Sequence, residues 1–269
     1  MKHNLRPAAV AGMFYPASAA DLASDVSQLL ADVVQPSPWR PKAIIAPHAG
    51  YAYSGPIAAS VYAMLAGLCG TVRRVVLLGP THRVAVAGLA LPAWEAFATP
   101  LGSVPIDAQA VTAIADLPQV VVSDEVHALE HSLEVQLPFL QTVLGEFSLL
   151  PLAVGNASPA AVADVLERVW GGDETLIVVS SDLSHYLPYA LAQQADDRTA
   201  QHILALDPHI DHQQACGATP VNGLLLAARR HGLYAHLIDL RNSGDTAGDR
   251  SRVVGYGAFA FAAEPDHVQ

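Results

Sequence analysis

The fold is decided by the stretch Thr175-Leu176-Ile177-Val178-Val179-Ser180-Ser181-Asp182-Leu183-Ser184-His185. A short apolar run rich in β-branched residues is followed directly by small polar turn residues. Such a run is typical of a strand buried on both faces of a parallel sheet. The stretch therefore predicts an internal strand whose carboxyl end presents Asp182 and His185.

The same arrangement occurs twice earlier in the chain. The run Ala43–Ala46 ends in Pro47-His48, and the run Val75–Leu78 ends in Gly79-Pro80-Thr81-His82. Further strands are predicted at 149–154, 235–240 and 253–261. Helices are predicted after Ser18 and at 57–65, 108–115, 129–144, 159–169, 189–206 and 221–231. Alternating strands and helices favour an α/β fold with a mostly parallel central sheet flanked by helices on both faces. The segment 88–106 resembles an antiparallel pair, which makes the predicted sheet mixed.

Composition limits the functional classes. Of 269 residues, 52% are hydrophobic and 14% are charged, which predicts a compact core and excludes a disordered chain. A net charge of -11 with only 14 basic residues argues against nucleic acid and anionic membranes as partners. No apolar run approaches the roughly 20 residues that span a bilayer. No linker or repeat interrupts the chain, so one domain over residues 1–269 is expected.

Two cysteines, Cys69 and Cys216, are too few for a disulfide framework and too far apart for a CxxC metal knuckle. The first residues lack the continuous apolar core of a signal peptide. Both observations favour a reducing, cytoplasmic location.

Three histidines, His48, His82 and His185, follow the carboxyl ends of predicted buried strands. In open α/β sheets that edge forms the ligand-binding crevice. Histidine in this position serves as a neutral metal ligand or as a proton carrier near neutral pH. The alternative for each residue alone is an ordinary loop or capping histidine. Together they predict one metal-capable pocket.

Acidic residues accompany these histidines. Asp182 could orient the imidazole of His185, or it could cap a helix together with its neighbouring serines. A serine nucleophile in this segment is disfavoured because no GxSxG elbow is present. Glu130 and Glu134 lie one helical turn apart, where they suit the positive end of a helix dipole, while His131 could point into the pocket.

Two further patterns remain open. The spacing of His127, Glu130 and His131 matches the inverted HxxEH order of zinc peptidases only weakly, because the helix is expected to begin too late for His127 to share a face with His131. After the strand at 235–240, Asp245 or Asp249 could supply a carboxylate to the pocket, although both also suit plain turns.

Several segments together resemble the Memo family, called AmmeMemoRadiSam system protein B in bacteria. They are AGMFYP near the start, APHAGYAYSG around His48, GPTH at His82, EHSLEVQLPF at His131, SSDLSHY at His185 and NSGDTAGDRSRVVGY near the end. They occur in order from about Gly12 to about Phe261 and therefore cover almost the whole chain.

The resemblance implies a fold similar to class III (LigB-like) extradiol dioxygenases, which are non-haem iron enzymes. It implies that His48 and His82 bind the metal and that His185, with Asp182 beside it, acts as acid and base. Human-type members are expected to carry a cysteine in the loop before the last strand. In this chain Asp245 takes the place of that cysteine, with Asp249 as the alternative. Because the cysteine is replaced, the copper chemistry of human-type members is less expected here. Two histidines and a carboxylate suit Fe(II), with Zn or Cu as other candidates.

Three functions follow as hypotheses. The first is an Fe(II)-dependent oxidoreductase acting on a small molecule. His131 and Tyr53 would contact the substrate, and the nearby tyrosines suggest an aromatic compound. The second is a non-catalytic binding or assembly protein that acts with AMMECR-type and radical SAM partners, as the bacterial family name implies. A metal-assisted hydrolase with His185 as base ranks third.

Overall fold

The computed structural model describes residues 4–34 and 39–263. In chain order the strands are β1 (Leu5–Arg6), β2 (Ala43–Ala46), β3 (Arg74–Pro80), β4 (Leu89–Leu91), β5 (Ala96–Thr99), β6 (Gly102–Pro105), β7 (Val120–Val122), β8 (Ser148–Val154), β9 (Thr175–Ser180), β10 (His185–Leu187), β11 (Tyr234–Asn242) and β12 (Val253–Ala262). The α-helices are α1 (Ala19–Ala31), α2 (Tyr51–Tyr62), α3 (Ala108–Ile114), α4 (Asp124–Ala128), α5 (Leu137–Leu144), α6 (Pro159–Val169), α7 (Tyr189–Leu204) and α8 (Ala218–Arg230).

Nine strands form the central sheet in the order β10-β12-β2-β9-β3-β8-β4-β7, with β11 also paired to β12. The middle strands β2, β9, β3 and β8 are parallel to one another. Strand β4 is antiparallel to β8, and β12 is antiparallel to both β2 and β11. The predicted mixed, mostly parallel sheet is confirmed, and the carboxyl ends of β2, β3 and β9 meet at one edge.

Helices cover both faces of this sheet because its inner strands are apolar on both sides. One core cluster joins the sheet to α1, α2 and α5. The other joins it to α6, α7 and α8. Helices α1 and α6 begin at serine caps: Ser18, the cap predicted from the sequence, accepts a hydrogen bond from the backbone N–H of Asp21, and Ser158 accepts one from that of Ala161.

The segment 88–106 differs from the expected antiparallel pair within the main sheet. Its first strand, β4, does join the main sheet. The hairpin of β5 and β6 instead leaves that sheet and forms a separate three-stranded sheet with β1. The hairpin therefore brings the N-terminal segment of the chain against the body of the protein.

A buried ion pair fixes the N-terminal segment beside the loop that carries His131. Arg6 is fully buried and donates to the carbonyls of His127 and Glu130 and to Glu134 Oε2, at 2.7, 2.7 and 2.6 Å. Glu134 also accepts from the backbone N–H groups of Ala9 and Val10 and from the hydroxyl of Tyr15. Glu134 does lie in the first turn of a short 3-10 helix (Glu134–Gln136), but its carboxylate also joins two distant segments of the chain.

Within the described residues, no helix combines the length and the apolar character needed to cross a membrane.

Candidate metal centre

Three histidines converge at the carboxyl edge of the parallel strands. His48 follows β2, His82 follows β3, and His131 lies in the loop before α5. One ring nitrogen from each lies within 4.8 Å of the others. The rings of His82 and His131 stack at 4.6 Å between centroids, and His48 meets both edge-on. Such a group of imidazoles is able to hold a transition-metal ion.

Neighbouring hydrogen bonds determine which nitrogen of His48 is free. Ser180 Oγ donates its hydrogen to the carbonyl of Ser132 at 2.6 Å and accepts one from Gln136 Nε2 at 2.8 Å. It must therefore accept from His48 Nδ1, which lies 2.8 Å away. The Nε2 atom of His48 consequently keeps its lone pair for a metal.

Glu130 organises the other two histidines. This carboxylate is buried and accepts from the backbone N–H groups of His82, His131 and Ser132, at 2.5, 3.0 and 2.9 Å. It also accepts from His82 Nδ1 at 2.9 Å, which leaves His82 Nε2 free. Burial raises the pKa of Glu130, but the hydrogen bonds and charge of His82 outweigh it and lower that pKa to about 2. Glu130 lies outside any helix, so a helix dipole plays no part in its position.

The imidazoles of His48 and His131 are held in the neutral form that metals bind. Burial is the main reason why the pKa of His48 lies well below its usual value, and the neighbouring His82 and His131 lower it further. Burial likewise lowers the pKa of His131 to about 4, although Glu130 opposes this shift. At neutral pH neither ring carries a charge that would have to be removed before metal binding.

Cys216, in the loop before α8, lies beside His48 and was not predicted from the sequence. Its Sγ lies 3.3 Å from His48 Nε2. Its backbone N–H donates to the carbonyl of Asp182, and a Cβ on the following Gly217 would clash with the side chain of Ser181 at 2.7 Å. Glycine at that position lets the loop approach the strand end. Burial raises the pKa of the Cys216 thiol to about 12.

Asp182 and His185 lie beside this group in roles that differ partly from those expected. Asp182 is buried and accepts from the backbone N–H of His48 at 2.7 Å. His185 is exposed, and its Nδ1 donates to the carbonyl of Leu183 at 2.8 Å. The carbonyl therefore orients the His185 ring, whereas Asp182 positions His48. Burial raises the pKa of Asp182 to about 6.

The structure does not bring Asp245 to the histidines. Its carboxylate accepts from the hydroxyl of Tyr189 and from the backbone N–H of Asn242, and it lines a different cavity. Asp249 is exposed and accepts from the backbone N–H of Ser251. Both carboxylates serve the turn before β12, so the prediction that Asp245 is the third ligand was wrong. The loop before β12 contains no cysteine, as expected, and Cys216 lies near His48 from another loop.

The two predicted substrate contacts have different positions. His131 belongs to the histidine group itself. Tyr53 lies in the first turn of α2 and is 44% exposed, outside the residues that line the neighbouring cavity. The residues lining that cavity, of about 630 Å³, include His82, His185 and Cys216. One member of the metal-capable group, His82, therefore borders a space large enough for a small molecule.

Replacing Glu130 by glutamine is expected to weaken metal binding by roughly 10- to 100-fold, as for other residues that orient a metal-binding histidine. The amide has only one acceptor oxygen, so it cannot hold His82 Nδ1 together with three backbone N–H groups. Metal titration followed by calorimetry measures the change. The exposed Glu125→Gln variant is the matched control, and equal affinities in the two variants would show that Glu130 does not orient His82.

The fold and this group define an α/β protein with a histidine-rich, metal-capable centre at the carboxyl ends of parallel strands. The chain belongs to the Memo family: a family model described as Memo-like protein matches residues 6–260. A MEMO1 family protein of Methanopyrus kandleri is 37% identical over 95% of this chain and 98% of its own length. One from Aquifex aeolicus is 36% identical over 96% of this chain and 99% of its own length. The resemblance predicted from the sequence motifs is thus confirmed.

A solved structure supports the fold. The crystal structure of an uncharacterized protein from Escherichia coli K12 matches with a TM-score of 0.52 and 15% sequence identity. The match covers 81% of this chain and 99% of that chain. At this identity the likeness concerns the arrangement of strands and helices alone.

Proposed function

We propose that this chain is an Fe(II)-dependent oxidoreductase that acts on a small molecule bound beside His82, His185 and Cys216. The observation that carries the proposal is a group of three imidazoles, two of them with oriented Nε2 lone pairs, next to an open cavity. A closed structural metal site would have no such cavity.

The donor set fits a transition-metal ion. His48, His82 and His131 would hold it, and Cys216 would be a fourth ligand or would lie against it. Imidazole suits Fe, Zn and Cu alike, whereas a thiolate favours Zn and Cu(I). Fe(II) is proposed because of the resemblance to extradiol dioxygenases, and Zn and Cu are its competitors. Bound Fe(II) would supply redox chemistry with dioxygen and polarise an oxygen atom of the substrate.

The protein's own residues prepare the site. Glu130 and Ser180 fix the tautomers of His82 and His48. Cys216 keeps its proton while the site is empty of metal, because burial raises its pKa, so coordination by its thiolate releases that proton. His185 carries its hydrogen on Nδ1, so its Nε2 is free to accept a proton from a substrate hydroxyl.

Oxygen uptake with a panel of catechols tests this proposal on the Fe(II)-loaded protein. We expect His185→Ala to lower the turnover rate by roughly 100-fold or more, because a general base contributes that much. The control is His209→Ala, whose side chain is 80% exposed and contacts Asp207. A metal-loaded protein that takes up no oxygen with any catechol would contradict the oxidoreductase role. It would favour a non-catalytic binding protein acting with AMMECR-type and radical SAM partners.

A further inference from the structure

The cavity beside the metal centre has a second wall with a different chemistry. We call it the α7 wall and define it by Ala195 and Arg198 of α7 and by Gln213 and Gln214 of the following loop. Ala195 and Arg198 lie three residues apart and so share one face of the helix. The α7 wall stands in the same cavity as His82, His185 and Cys216, so a small ligand could contact both sides at once.

Arg198 is the cationic group of this wall. Its side chain is exposed, and among the described residues no hydrogen bond or ion pair engages its guanidinium. Arg74, by contrast, forms an ion pair with Asp107, so its guanidinium already has a partner within the protein. A guanidinium presents five N–H donors in a planar fork that matches a carboxylate with two parallel hydrogen bonds. Arg198 is therefore available to an anionic ligand.

Among the described residues, the carboxylate that lines this cavity is that of Asp211, and one of its two oxygens is engaged by its own loop. Asp211 Oδ1 accepts from the backbone N–H groups of Gln213 and Gln214, at 2.8 and 2.9 Å. Gln214 Oε1 in turn accepts from the backbone N–H of Asp211 at 3.0 Å, which leaves the amide NH₂ of Gln214 as a donor. The α7 wall thus offers more free donors than free acceptors, as expected for a surface that binds an oxyanion.

We propose that the cavity binds a small organic carboxylate and that Arg198 is the residue that selects for its charge. The carboxylate lies against the α7 wall while the remainder of the ligand reaches the metal-capable group. The inference rests on the proposed function for the role of that group. It also explains how an acidic protein of net charge -11 accepts an anion, since the attraction is local and charge-assisted.

Calorimetric titration of the metal-loaded protein without oxygen tests this inference with two probes of the same shape, 3,4-dihydroxybenzoate and the neutral 3,4-dihydroxybenzamide. We expect the benzoate to bind at least about tenfold more tightly, which corresponds to one charge-assisted hydrogen-bonded pair. Arg198→Ala is expected to abolish the preference, and Arg198→Lys to retain part of it. Arg168→Ala removes an exposed arginine that pairs with Asp116 and is the control.

Equal affinities for the two probes, or a preference that survives Arg198→Ala, would overturn the inference. Binding of inorganic phosphate more tightly than the benzoate, and dependent on Arg198, would overturn the assignment to a carboxylate. Metal content is measured on the same samples, so the two proposals fail separately. If the protein binds metal but does not prefer the benzoate over the benzamide, only the carboxylate site is contradicted. If it prefers the benzoate but binds no metal, only the metal-dependent function is contradicted.

Discussion

Replacing His48 and His82 together by alanine is expected to abolish the binding of a transition-metal ion while the protein stays folded. These residues supply two of the three imidazoles in the group, and both keep an Nε2 lone pair free. Loss of two ligands should weaken binding by roughly a thousandfold or more, given the large free energy of metal coordination by proteins. Stability should fall by about 1–6 kcal/mol in total, because each of the two changes costs about 0.5–3 kcal/mol, as most single-site changes do.

Metal content per chain and a circular dichroism melting curve measure the two effects in one preparation. The matched control replaces His209 and His231, two histidines that contact Asp207 and Glu167 instead of the metal-capable group. One equivalent of metal retained by the His48→Ala, His82→Ala protein would mean that the ion binds elsewhere.

Replacing Glu134 by alanine is expected to lower the free energy of unfolding by about 3–5 kcal/mol, because it leaves the buried guanidinium of Arg6 without its partner. The change also removes the acceptor of the backbone N–H groups of Ala9 and Val10 and of the Tyr15 hydroxyl. Equilibrium unfolding in urea measures the loss.

Glu167→Ala is the control for Glu134→Ala. Glu167 forms exposed contacts with Arg230 and His231, and such surface pairs contribute about 0–1 kcal/mol. If both variants lost less than 1 kcal/mol, the clamp between the N-terminal segment and the His131 loop would not stabilise the fold. Phe14 packs on His131 at 4.8 Å between ring centroids, so we also expect Glu134→Ala to loosen the metal-capable group.

The inner strands could be predicted because each is a short apolar run closed by polar turn residues. The expected run at 43–46 coincides with β2, and the run at 175–179 is extended only by Ser180. Both faces of these strands are covered by helices, so no polar side chain interrupts the pattern. Parallel pairing then brings the residues after each strand to one edge, which is why His48 and His82 were found together.

The predicted bounds of two helices differ from those in the structure. The helix expected at 57–65 begins at Tyr51, because Pro56 lies inside α2 and does not mark its first turn. The helix expected at 129–144 begins at Glu134 as a short 3-10 helix (Glu134–Gln136) that continues into α5, and residues 129–133 form the loop that presents His131. Propensity favoured a longer helix, but the hydrogen bonds of Glu130 and Glu134 hold this segment in another conformation.

Cys216 and Arg198 were missed for a physical reason. Cys216 lies 168 positions from His48 in the chain. Neither Cys216 nor Arg198 directly follows a strand of the parallel set. The nearest local indication was the Cys216-Gly217 pair directly before α8, since glycine permits a close approach of backbone to its neighbours. Which loops meet at the sheet edge depends on tertiary packing, and a single sequence does not specify it.

The most direct test of the metal centre is anaerobic titration of the unmodified, metal-depleted protein with Fe(II), Zn(II) and Cu(I), with bound metal counted per chain. We predict uptake close to one equivalent, with a proton released from Cys216 when its thiol coordinates the ion. No uptake of any of the three metals would contradict the proposed metal centre, because His48, His82 and His131 would then not bind a metal ion.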